Sequence, residues 1–175
     1  MSEQATVRLV YASRATFEPQ KNANGIEPNV ARILMQSRRN NARDRIGGVL
    51  HFGDGYFFQC LEGERGLVNK VYQRIGEDPR HEDVRLLQME QVDERKFLDW
   101  SMKYVAIESQ VQRLLDQYGL SAFRPYEFNK QMIHGLLQAC VAAEDPSRAE
   151  IPDSPVANRP RQSGGGFFRR LLGRG

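Results

Sequence analysis

The run Ile46-Gly47-Gly48-Val49-Leu50-His51-Phe52 is followed by Gly53-Asp54-Gly55 and then by Tyr56-Phe57-Phe58-Gln59-Cys60-Leu61. Two strand-like segments flank a glycine-bounded loop, the pattern of an antiparallel hairpin. Upstream, residues 5–12 alternate as a first strand, with Val7, Leu9 and Tyr11 on one face. Between that strand and the hairpin, Glu27-Pro28 starts a helix, because proline at the first helical position has no N–H to lose. Val30, Ile33, Leu34 and Ser37 form its stripe, and it fades through Arg38-Arg39-Asn40-Asn41.

Downstream, Leu67, Val68, Val71, Tyr72 and Ile75 repeat at helical spacing, and Pro79 ends that helix near Asp78. Residues 84–92 read as a fourth strand and 100–107 as a fifth. The order β-α-β-β-α-β-β contains the split βαβ pattern of an α+β, ferredoxin-like βαββαβ fold, with two helices on one sheet face and a fifth strand. Val111, Leu114, Leu115 and Tyr118 suggest a further helix. Ile133, Leu136, Leu137, Cys140 and Val141 suggest another, starting near Pro125. Their apolar faces require cover from the open sheet face or from a second subunit. Residues 1–108 are thus expected to form the core domain, 109–144 a helical extension and 145–175 a proline- and glycine-rich disordered basic tail.

The chain has 175 residues and a formal charge of +3. Six arginines against Asp145, Glu150 and Asp153 place all of that excess in residues 145–175, leaving residues 1–144 with no net charge. A neutral domain lacks the electrostatic footprint of a nucleic-acid binder. No window reaches the ~18 apolar residues of a membrane span. Cys60 and Cys140 form no metal- or disulfide-type cluster, so no metal site is expected and a reducing, cytoplasmic location is the default.

Period-two alternation puts Gln59 on the face of Phe57 and Leu61, an amide aimed into an apolar layer. Tyr11 poses the same problem beside Val7 and Leu9. Buried polar tips need partners, and an unmet one costs about 1–3 kcal/mol. A private bond between the two would suffice. Asn40 and Asn41 at the helix end, however, add a polar rim to an apolar slot, the usual form of a small-molecule site. Cys60 has the opposite parity and falls on the far face. His51 and His134 read as solvated histidines, and Trp100 and Met102 as packing residues that share strand parity.

Five separated segments together resemble the BLUF family of blue-light sensors that use FAD. They are Leu9-Val10-Tyr11-Ala12-Ser13, Ser37-Arg38-Arg39-Asn40-Asn41, Tyr56 to Gly63, Asp78-Pro79-Arg80-His81 and Phe97 to Met102. The resemblance covers residues 5–108. It implies a flavin ring between the two helices, with Tyr11 as the light-driven electron and proton donor and Gln59 as the amide linking it to the flavin. Asn41 would bind the ring's polar edge, with Asn40 and Ser37 nearby in the flavin site, and Arg80 and His81 would contact the ring or its phosphate-bearing chain. Trp100 and Met102 would relay the change through strand five to the C-terminal helices. Gly47 departs from the family, which often has a hydroxyl residue there, so a side-chain hydrogen bond near the pocket is expected to be missing.

With no catalytic domain after residue 108, the expected role is a non-enzymatic sensor acting in trans on a separate effector, with self-association through the C-terminal helices. Two rivals carry weaker signals. A ferredoxin-like nucleic-acid binder would expose Tyr56 or Phe58 on its sheet, and a small hydrolase would need a nucleophile–base pair that no spacing supplies.

Overall fold

The computed structural model describes residues 4–19, 26–99, 101–105 and 108–145. Trp100 and residues 146–175, hence the expected relay tryptophan and nearly all of the expected tail, lie outside the described residues. The strands are β1 (Thr6–Ala15), β2 (Gly47–Gly53), β3 (Tyr56–Glu64), β4 (His81–Gln91) and β5 (Lys103–Tyr104). The helices are α1 (Pro28–Arg43), α2 (Arg65–Gly76), α3 (Glu108–Gln117) and α4 (Lys130–Ala142). One sheet runs β4-β1-β3-β2-β5, antiparallel except where β5 lies parallel to β2.

The β2–β3 turn is two residues long, Asp54 and Gly55, both at positive φ (50° and 79°). That geometry matches the twist of the strands it joins. Glu27 caps α1 by accepting from the Val30 N–H at 2.8 Å, and Pro28 follows. The helix runs on to Arg43, so Asn40 and Asn41 lie within it, and Asp44 rather than an asparagine is its C-cap.

The two sheet faces have separate cores. Val7, Leu9, Tyr11, Phe57 and Leu61 pack under α1 and α2 with Val30, Ile33, Val68 and Val71. Val10, Val49, Phe58 and Cys60 pack on the opposite face with Leu115, Phe123, Ile133 and Leu136. The C-terminal helices therefore bury their apolar faces on the sheet of their own chain. Phe58 is fully buried beneath them, and Tyr56 packs edge-on against Tyr126. Those aromatics are no stacking platform for bases.

Several local readings are corrected. Pro125 opens a 3-10 turn (Pro125–Glu127), and α4 starts later, where Oδ1 of the N-cap Asn129 accepts from the Met132 N–H at 2.9 Å. Strand β5 is two residues long rather than spanning 100–107. Just before it, the Ser101 and Met102 carbonyls are taken by side chains of α1 instead of a strand ladder, Asn41 Nδ2 at 2.8 Å and Arg38 Nε at 2.9 Å. His51 is buried, its Nδ1 2.8 Å from the Val105 carbonyl, not solvated. Asp145, counted with the tail, has a side chain only 3% exposed.

Candidate functional site

Tyr11 and Gln59 are direct cross-strand partners on the two central strands. Cross-strand partners share a face, so both side chains enter the layer beneath α1 and α2. The Tyr11 hydroxyl donates to Gln59 Oε1. Burial holds the Tyr11 phenol well above its ordinary pKa, with the nearby Tyr72 and Asp78 adding to the effect, so the hydroxyl keeps its proton. Gln59, 2% exposed, directs Nε2 at Met102 Sδ at 3.7 Å. A thioether is a weak acceptor.

Beside this pair a cleft opens between α1 and α2, with about 500 Å³ of atom-free space counting its open mouth. Ile33, Gln36, Ser37, Asn40 and Asn41 line one side. Their spacings of three and four place them on one face of α1. Val71, Arg74 and Ile75 of α2 form the other wall, and Gln59 lies at the inner end. Apolar walls with a few polar groups suit a flat heterocycle with donors and acceptors on its edge.

Arg80 spans the mouth. Its guanidinium donates to both carboxylate oxygens of Asp78, at 2.9 and 2.5 Å, and to Gln36 Oε1 on α1 at 2.8 Å. The same pairing holds the Asp78 carboxyl below the usual range. His81 is buried, with Nδ1 2.8 Å from Ser13 Oγ and its ring 4.4 Å from that of Phe57. Burial lowers its pKa to about 4, so the imidazole is neutral near pH 7.

The cleft thus gathers Gln59, Ser37, Asn40, Asn41, Arg80 and His81, while Tyr11 and Met102 reach it through Gln59. Sequence reasoning missed Gln36, Arg74 and Asp78. Gln36 could have been found from its place one turn before Asn40. Gly47 is a correction, for it pairs with Glu62 on the face opposite Gln59. A Cβ there would lie 2.2 Å from the Phe97 carbonyl oxygen, so close backbone approach, not the pocket, dictates the glycine. Cys60 also faces away, and burial raises its thiol pKa well above the ordinary value. Among the described residues no cluster of His, Cys, Asp or Glu could hold a metal ion.

A ferredoxin-like sheet with two helices on one face, and a polar-rimmed cleft over a buried Tyr–Gln pair, defines a heterocycle-binding α+β domain. Residues 6–103 match the family described as sensors of blue-light using FAD, and the chain belongs to that family, BLUF. It is similar to the photoactivated adenylate cyclase subunit beta of Euglena gracilis, 35% identical over 95 residues, 54% of this chain. The chain spans only about 10% of that relative's length. Among solved structures, the BlsA photo-activated state has a TM-score of 0.71 at 33% identity, covering 80% of this chain and 97% of that one. BlrB, a BLUF protein in its dark state, has a TM-score of 0.64 at 26% identity, covering 81% and 98%.

Proposed function

We propose that this chain is a blue-light photoreceptor that holds FAD in the α1–α2 cleft and reports illumination by rearranging hydrogen bonds at Gln59. The observation that carries the reading is the buried relay from Tyr11 Oη to Gln59 Oε1 and from Gln59 Nε2 to Met102 Sδ, at the inner end of that cleft. The donor set fits the cofactor. Asn41, Asn40 and Ser37 would meet the ring's polar edge, Ile33, Val71 and Ile75 its faces, and Arg80 and His81 the mouth. FAD, when bound, supplies blue-light absorption and an excited state that is a strong oxidant.

The chain's own part is to hold and redirect protons. Tyr11 is a neutral phenol whose proton has an acceptor at Gln59 Oε1, so loss of an electron from the ring can be accompanied by proton transfer to that atom. Turning the Gln59 amide exchanges Oε1 and Nε2. The carbonyl would then face the Met102 thioether, which has no proton to donate, and the lost partner would push on Met102. Because the Met102 carbonyl and the adjoining Ser101 carbonyl are held by α1, that push is transmitted to β5 and onward.

The output is read as action in trans on a separate effector, with cytoplasmic residence. Self-association has weaker support, since the helical faces that suggested it are packed on the sheet. The absorption spectrum of the purified, FAD-loaded protein before and after blue light tests the reading. A reversible red shift is expected. A folded protein that takes up no FAD would overturn it.

A further inference from the structure

Asp145 stands at the far end of a chain of contacts that starts at the cleft. Gln59 Nε2 meets Met102 Sδ, and Arg38 Nε donates to the Met102 carbonyl at 2.9 Å. The same guanidinium donates through Nη2 to Asp145 Oδ2 at 2.8 Å, and that oxygen also accepts from the Tyr104 N–H of β5 at 3.3 Å. One residue earlier, the fully buried Lys103 donates Nζ to the Val141 carbonyl at 3.0 Å, in the last turn of α4. The Arg38 side chain is 21% exposed and that of Asp145 3%. Helix α1, strand β5 and the end of α4 thus meet on three side chains, Arg38, Lys103 and Asp145.

We propose that the Arg38–Asp145 pair is the latch through which the state of Gln59 controls the end of α4 and residues 143–145. The inference rests on the photoreceptor reading and names the residues that carry its output. Arg38 grips Met102 by its main chain while Gln59 contacts the same residue by its side chain. A shift of Met102 therefore changes the bond that Arg38 makes to it and, through the same guanidinium, the geometry of the bond to Asp145. Asp145 has little water to turn to, so weakening its bond to the guanidinium loosens its seat against the Tyr104 N–H. The chain around Asp145 then loses its hold on β5. Arg38 and Asp145 are positioning residues, since neither lines the cleft.

The test is amide hydrogen exchange on the full FAD-loaded chain, in the dark and under blue light, read at Tyr104 and in peptides spanning 130–145. In wild type the dark state is expected to be protected and the lit state to exchange faster. Asp145→Asn should exchange about tenfold faster in the dark, with no further gain on illumination, because breaking a buried pair opens its surroundings. Its flavin spectrum should still shift, which also reports an intact pocket. Asp145→Glu, retaining the charge, should restore dark protection and the response to light. Wild-type protection of Asp145→Asn in the dark would overturn the latch. So would equal exchange of lit and dark wild type while the spectrum shifts, and that result leaves the photoreceptor reading intact. An unchanged wild-type spectrum would instead remove the photoreceptor reading, and the relay with it.

Discussion

Arg8 and Glu62 form an ion pair across β1 and β3 at 2.6 Å, on the sheet face opposite Tyr11 and Gln59. Glu62 is fully buried, and its other oxygen accepts from the Phe97 N–H at 2.9 Å. Arg8 also reaches Glu90 Oε1 at 3.0 Å and the Glu94 carbonyl at 3.4 Å. One carboxylate thereby ties the two central strands to the segment that leads into β5. Glu62→Gln keeps the shape but leaves Arg8 short of a charge in a place with little water. A loss of about 3–5 kcal/mol is expected, measured by urea unfolding, with the FAD spectrum retained in whatever fraction folds.

Tyr11→Phe removes one oxygen from the buried relay. Gln59 Oε1 then loses its donor, and an unpaired buried acceptor costs about 1–3 kcal/mol. The cleft lining is untouched because Tyr11 acts through Gln59. The variant should bind FAD and remain yellow but show no normal red-shifted state. A wild-type light response in Tyr11→Phe would remove the phenol from the mechanism.

The four-stranded core and its helices were legible because each segment carries one clear period. Alternation in 56–61 put Gln59 and Cys60 on opposite faces, and the stripe Val30, Ile33, Leu34, Ser37 fixed the buried side of α1. Strand five was overextended because alternation cannot tell a hydrogen-bonded strand from an extended segment held by side chains of Asn41 and Arg38. Glu62 went unread as a buried charge, since its partners Arg8 and Phe97 are distant in sequence. Asp145 was assigned to the tail by the composition that follows it, and composition does not reveal a tertiary ion pair. His51 misled for a related reason. A histidine in a strand shows no sign of burial until its carbonyl partner, here Val105, is known.

Met102→Leu separates packing from relay. The swap nearly conserves volume in a site where Met102 is 1% exposed, so the stability cost should stay below about 1.5 kcal/mol. It removes the sulfur that Gln59 Nε2 contacts. The flavin should still redden in blue light, whereas light-dependent exchange at Tyr104 should fall. Normal exchange changes in this variant would show that the Gln59–Met102 contact carries no signal.

Acid should weaken the fold through His81. Its folded pKa is about 4, against about 6.5 in an unfolded chain. Between these values the unfolded chain binds the extra proton. Stability from the neutral, buried imidazole is complete above pH 6.5 and is lost as pH falls toward 4. The full loss is on the order of 3 kcal/mol. His51 is depressed in the same direction, chiefly by burial, and adds to the slope. His81→Gln should flatten the decline of the urea midpoint between pH 6.5 and 4. An unchanged slope would place the acid sensitivity elsewhere.

Gly47→Ser decides whether the missing hydroxyl matters to the pocket or to the backbone. The new Cβ would lie 2.2 Å from the Phe97 carbonyl oxygen and 2.8 Å from the Arg95 guanidinium. The guanidinium can swing away, but the carbonyl belongs to a residue whose N–H is held by buried Glu62. Relief therefore requires moving the segment around Phe97, at a cost of about 1–3 kcal/mol. The hydroxyl would fall on the face of Glu62, across the sheet from the cleft, where it cannot reach a flavin edge. Thermal unfolding should show lower stability while the absorption maximum stays fixed. A shifted maximum with unchanged stability would mean that position 47 communicates with the pocket through the sheet, and the close approach to Phe97 would not be its constraint.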